Sequence, residues 1–337
     1  MLRTSPRMLL MLLAAAAWQA GPLAAQELKI ATLAPEGSDW MVAMRAGAGE
    51  IEQRSEGRVS FKFYGGGVQG NDNQVRRKMR IGQVHGGTFT SGTIHHFDPS
   101  AQLYSMPMVF NNFNEVMYVR AHLDPKIRQR LEDRGFVNFG FTGAGFGYLM
   151  SQEPVRTLAD MEGEKTWVQE GDTVAYAAFK SLGISPVTMP LTDVLTGLQT
   201  GLLDSASISP VGALVLQWHT KLRYISNLPL AYVYGTLLID RRPFSRLSPA
   251  DQALVREVME RIYSSLDGKS NADNESSLRA LQGSGLQLIE PDREEVARWR
   301  EVVFASNREQ VRQGAVDSGL MREMLDLLAD YRAQLGQ

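Results

Sequence analysis

A chain of 337 residues, 44% hydrophobic and 21% charged, can bury a sizeable core, which excludes a disordered protein. It has no Cys, so disulfides, thiolate metal sites and Cys nucleophiles are excluded together. With 35 basic against 37 acidic residues it has no basic excess, and nucleic acid is not an expected partner.

The chain opens on Arg3 and Arg7, then an apolar run from Met8 to Ala17, then Leu23-Ala24-Ala25 before the polar Gln26-Glu27. A basic start, a short apolar run and a small-residue exit predict a secretory signal peptide over 1–25, cleaved near Ala25. The run is too short to span a bilayer comfortably, and no Cys follows it to carry a lipid. The expected location is the periplasm.

From residue 28 strands alternate with helices. Strands are expected over 28–32 and 58–64, with helices over about 38–55, opened by Ser38 or Asp39, and 71–81. Further helices are expected near 113–134, 172–182, 191–200, 210–218, 249–283 and 292–334. Further strands are expected near 136–141, 146–150, 165–169, 185–188, 205–208, 230–240 and 285–289. The alternation predicts an α/β fold with mixed or parallel sheets flanked by helices. No Pro/Gly/Ser linker divides the chain, which suits two lobes joined by several crossings.

Catalytic groups are hard to find. Gly65-Gly66-Gly67-Val68-Gln69-Gly70 matches the dinucleotide-binding glycine pattern, but Phe89, Thr90 and Ser91 stand where a ribose-binding acid is expected. A flexible strand-to-helix turn is the better reading, and no cofactor is expected. His85, His95, His96, His122 and His219 have no metal-ligand spacing. Glu294 and Glu295 lie one turn from Arg298 and read as surface pairs. No nucleophile elbow is present, so no catalytic or metal residue is assigned.

Aromatic and small polar residues instead gather at turns and strand ends: Trp40, Phe89, Thr90, Ser91, Trp167, Gln169, Ser207, Ser209, Pro210, Trp218, Tyr232 and Tyr234. Any one of these aromatics is more often core than ligand contact. Together, near strand ends of an α/β chain, they fit a small-molecule cleft.

The order of segments resembles the extracytoplasmic binding subunits of tripartite ATP-independent periplasmic (TRAP) transporters, of the dicarboxylate-binding type. Four stretches carry the resemblance, which runs from about Leu28 to Leu335. They are Gly57-Arg58-Val59 with the Gly70-Asn71-Asp72 turn; Met106-Pro107-Met108-Val109-Phe110; Leu158-Ala159-Asp160-Met161-Glu162-Gly163-Glu164-Lys165; and Leu182-Gly183-Ile184-Ser185-Pro186 followed by Leu198-Gln199-Thr200-Gly201-Leu202-Leu203-Asp204. The resemblance implies a two-lobed binding-protein fold with a long helix crossing both lobes, a ligand between the lobes, no enzyme chemistry, and a membrane permease as partner. It divides the chain into lobe I (26–145 with 235–275), lobe II (146–234 with 276–315) and a C-terminal helix over 316–337.

The departures from that family matter as much. Its members usually carry an Arg that forks onto the ligand carboxylate, and the matching position here is Trp167, in Lys165-Thr166-Trp167. A second Arg of sialic-acid binders falls near Gly147, and an acidic contact of those binders falls near Thr90. The Asp204-to-Pro210 turn has no acid beside its Pro. An indole offers one N–H and a large apolar face. The expected ligand is therefore neutral, apolar or aromatic, stacked on Trp167 and oriented by Gln169, Thr90, Ser91 or Ser209, with Trp40, Phe89, Pro210 and Tyr234 completing the site.

A sensor or scavenger role on the same fold, or less readily an envelope hydrolase, are the other readings. A permease pair beside the gene separates transport from sensing. A monomer is expected; the stripe Leu320, Met324 and Leu327 offers a dimer contact through the C-terminal helices as the alternative.

Overall fold

The computed structural model describes residues 25–336, so the expected leader, Ala25 apart, lies outside the described residues. In chain order the elements are β1 (Gln26–Ala31), α1 (Asp39–Arg54), β2 (Val59–Tyr64), α2 (Asp72–Arg80), β3 (Gly86–Thr90), α3 (Phe113–Asp133), β4 (Phe136–Asn138) and β5 (Thr142–Ser151). Then come β6 (Thr166–Gln169), α4 (Thr173–Ser181), β7 (Val187–Met189), α5 (Val194–Thr200), β8 (Ser205–Ile208), α6 (Pro210–Val215), β9 (Tyr224–Ser226) and β10 (Ala231–Asp240). The last are α7 (Arg241–Phe244), α8 (Pro249–Gly283), β11 (Gln287–Ile289), α9 (Arg293–Arg312) and α10 (Ser318–Gln334).

Local chemistry explains most of these boundaries. Ser38 caps α1 by accepting from the Met41 N–H, and Met41, Met44, Ala48 and Ile51 form its buried stripe. Asn71 opens α2 with a reciprocal capping box to Gln74. Ser248 caps α8, with Pro249 in its first turn, where no N–H is needed.

The strands run in the order β2-β1-β3-β10-β5-β8-β6-β7, with β4 on β10, β9 on β5 and β11 on β9. Two ten-residue strands join the halves. β10 pairs with β3 over Gly235–Ile239 and with β5 over Ala231–Gly235. β5 then continues onto β8 through Tyr148–Ser151. The register between β5 and β10 shifts at Val233/Tyr234, where a bulge bends the crossing. Gly145 sits there at φ 87°, and a Cβ on it would fall 2.2 Å from Asn274 of α8, so only glycine fits.

The architecture is a two-lobed α/β fold with mixed sheets flanked by helices. One apolar cluster packs Leu28, Ile30, Met41, Met44 and Ile51 against Val255, Val258 and Met259 of α8. A separate cluster gathers Trp167, Leu198, Leu203, Trp218 and Ile225 around Leu281, at the other end of the same helix. At about 1.5 Å per residue, the 35 residues of α8 reach roughly 50 Å, enough to brace both halves. The stripe Leu320, Met324 and Leu327 packs with Val116, Val119 and Leu123 of α3. Arg332 of α10 pairs there with the buried Glu115 at 2.8 Å.

Several elements differ from expectation in detail. The central strand β3 has the sequence GGTFT, which has no apolar alternation and was not expected; β9 is likewise additional. The helix expected over 292–334 is two helices, parted at Gly314 (φ 78°) and restarted by the Asp317 cap. The strand expected over 146–150 begins at Thr142, because the glycines of its first half pair with β10 rather than alternate.

Candidate functional site

The cleft between the lobes holds two connected chambers. The outer one, about 590 Å³, is walled by Leu33, Trp40, Val211, Val215 and Leu266. The inner one, about 270 Å³, is walled by Trp167, Gln169, Phe179, Ile208 and Leu230. Neither lining contains a Lys, Arg or His; the charged residues among them are Asp39 and Asp273 of the outer chamber and Asp172 of the inner.

A further concavity of about 600 Å³ lies between α3 and α8, but its charges are already matched. Arg120 is paired with Asp124 and Asp267, Arg128 with Glu260, and Arg256 with Glu132. It offers a solute no free charge and little apolar wall, so the interlobe cleft is the candidate site.

The sequence-derived site residues divide by their placement. Thr90 lines both chambers; Ser91, Trp167, Gln169 and Ser209 line the inner; Trp40, Phe89 and Tyr234 line the outer. Pro210 lines neither and is buried at the start of α6. Several of these side chains are already committed elsewhere. Trp167 is 5% exposed, meets Trp218 edge to face at 5.1 Å, and donates its indole N–H to the Met189 carbonyl at 3.0 Å. Ser209 caps α6 by accepting from the Gly212 N–H. Phe89 and Tyr234 belong to the core, and the Tyr234 hydroxyl donates to the Ala101 carbonyl.

The lobes are bridged at the inner chamber. The Thr90 hydroxyl donates to Gln169 Oε1 at 3.1 Å, and Gln169 Nε2 donates to Asp72 at 3.3 Å. Gln102 Nε2 donates to Asp172 Oδ1 at 2.7 Å, and Asp172 also caps α4. Thr90, Asp72 and Gln102 come from the β2–α3 region, whereas Gln169 and Asp172 come from the β6–α4 turn. Burial pushes the Asp72 carboxyl up to about 6, against the hydrogen bond from Thr93 and the nearby Arg76. Burial likewise raises Asp172 to about 6, against the Ala175 and Val174 N–H groups and Gln102.

Asp72, Gln102 and Asp172 escaped the sequence reading. Their bridges join residues 70 to 97 positions apart, and no local pattern marks such pairs. The signals available were two turns, Gly70-Asn71-Asp72, noted above for its family resemblance alone, and Gly171-Asp172 after a strand, with Asp172 placed to open a helix.

Comparison with known proteins agrees with the two-lobed fold. The family model described as "Bacterial extracellular solute-binding protein, family 7" matches residues 30–313. YiiZ of Salmonella typhimurium is 25% identical over 211 residues, 61% of this chain and 64% of that protein, so the match spans slightly less than two thirds of that relative. The 2,3-diketo-L-gulonate-binding periplasmic protein YiaO of Escherichia coli is 26% identical over 255 residues, 73% of this chain and 75% of that one. Among solved structures, the sugar acid binding protein DctPAm of Advenella mimigardefordensis, in complex with galactonate, superposes with a TM-score of 0.82 at 19% identity, covering 91% of this chain and 99% of that one.

Proposed function

The chain belongs to the bacterial extracellular solute-binding proteins of family 7, the DctP family, and from that premise we propose that it captures a neutral, apolar or aromatic solute between its lobes and delivers it to a TRAP-type membrane permease. Members of this family bind solutes and are not enzymes. In this reading the mature protein works in the periplasm after losing residues 1–25, as a monomer whose Leu320 stripe is covered by its own α3.

One observation carries the choice of solute: no basic side chain lines either chamber. YiaO and DctPAm are named for organic acids. A carboxylate in this cleft would meet no cation, would face Asp172, and would lose its water at several kcal/mol. An apolar or aromatic body gains from the same walls, at about 25 cal/mol per Å² buried. Capture would favour the bridged arrangement, since a solute touching Thr90 and Gln169 at once contacts both lobes only there.

Titration calorimetry with a matched pair of probes tests this. At neutral pH, 3-phenylpropan-1-ol should bind at least about tenfold more tightly than 3-phenylpropanoate, a gap of ~1.4 kcal/mol. Tighter binding of the acid would overturn the reading.

A further inference from the structure

The two chambers are joined by a neck. Thr90, Ala144, Leu191, Gly212, Leu216 and Val233 line both, so they surround the passage between them. The chambers differ in what they offer. The inner one carries Ser91, Ser207 and the single carboxylate Asp172 among apolar walls. Ser91 and Ser207 make no side-chain hydrogen bond among the described residues, whereas Thr90 and Gln169 are bonded to each other. The outer chamber is the larger and ends at the surface, where Asp39, Asp273 and Ser276 are exposed. Together the chambers fall within the ~300–1,000 Å³ of sites that enclose drug-sized ligands.

We propose that the cleft holds one elongated amphiphile, with an uncharged hydroxyl-bearing head among Ser91, Ser207 and Asp172 in the inner chamber and an apolar tail passing the Leu191–Leu216 neck into the outer one. This rests on the neutral-solute reading above and adds the shape of the solute to it. An ionised carboxylate accepts hydrogen bonds and donates none, so Asp172 selects a donor head such as a hydroxyl and repels a carboxylate. Leu33 and Val211 flank the outer chamber from opposite lobes, and neither lines the inner one. A tail there would hold the lobes together by its own burial, beyond the reach of the Gln169 and Asp172 bridges.

The test titrates straight-chain primary alcohols from butanol to dodecanol, and the matching carboxylates, into the mature protein. Affinity for the alcohols should rise about fourfold per methylene, the factor for burying one CH₂, until both chambers are full. Val211→Trp and Leu33→Trp, one in each lobe, should each lower affinity for decanol at least about tenfold and by more than they lower affinity for butanol, with a wild-type melting temperature certifying the fold. Alcohols that outbind acids but stop gaining affinity at short lengths, with both Trp variants silent, would overturn the two-chamber proposal alone. Acids that outbind alcohols at every length would instead overturn the neutral-solute reading. Absence of alcohol binding at any length would overturn both.

Discussion

Trp167 stands where the family resemblance expects a carboxylate-binding Arg, and its neighbours show why an Arg would be out of place. The ring lies in an apolar cluster with Trp218, Met189 and Leu198, and its one N–H is bonded to the Met189 carbonyl. Trp167→Ala should therefore reduce stability by about 3–5 kcal/mol, as for a large aromatic removed from a core, and this is read from the urea midpoint. The same variant should weaken solute binding, because the ring also walls the inner chamber. The sequence showed the strand position and the missing Arg. It could not show that the indole hydrogen is in use, because that bond depends on β6 pairing with β7 in the register Trp167 to Val187. Phe89 and Tyr234 were legible as apolar residues near the cleft, but their burial in the core follows from the β3–β10 pairing.

The bridge between the β6–α4 turn and the opposite lobe contributes a pH dependence of definite sign. Asp72 and Asp172 titrate near 6 in the folded chain against about 3.9 for an unfolded Asp. The folded state thus binds protons between about pH 4 and 6 that the unfolded chain does not, so these groups' contribution is present at low pH and is lost as pH rises through about 6. Asp124 and Glu164, also raised by burial, act in the same direction. Asp251, held low by the Arg58 guanidinium, acts oppositely only once pH falls below the ordinary Asp range, whereas His95, lowered by burial to about 4, and His85 and His96, lowered likewise, act oppositely within the same interval. The difference in melting temperature between the wild type and Asp72→Asn should therefore move in favour of the wild type between pH 7 and pH 5 in thermal scans, because only the wild type gains the Asp72 proton. A difference that stays constant or moves the other way over that interval would contradict the assignment. Elements with strong periodicity or a recognisable cap, such as α1, α2 and α8, were legible in the sequence. β3 was not, since Gly86 and Gly87 carry no pattern and the strand is specified by its neighbours β1 and β10.

At the scale of the whole molecule, β5, β10 and α8 pass between the lobes, and the cleft lies beside all three. The two-lobed α/β fold was legible from strand–helix alternation and segment order, because those features reflect local pattern. The charge of the cleft was only half legible. The loss of Arg at Trp167 was visible in the chain, but the absence of any replacing cation requires the walls to be assembled from distant segments. A cleft lined by Asp39, Asp172 and Asp273 and by no basic residue is the reason a neutral solute is proposed here, although YiaO and DctPAm are named for acids. The most direct test is native mass spectrometry of the mature protein, purified gently from the envelope, followed by extraction of whatever it carries. The expected result is a copurifying neutral molecule with an apolar or aromatic body; a copurifying carboxylic acid would contradict it.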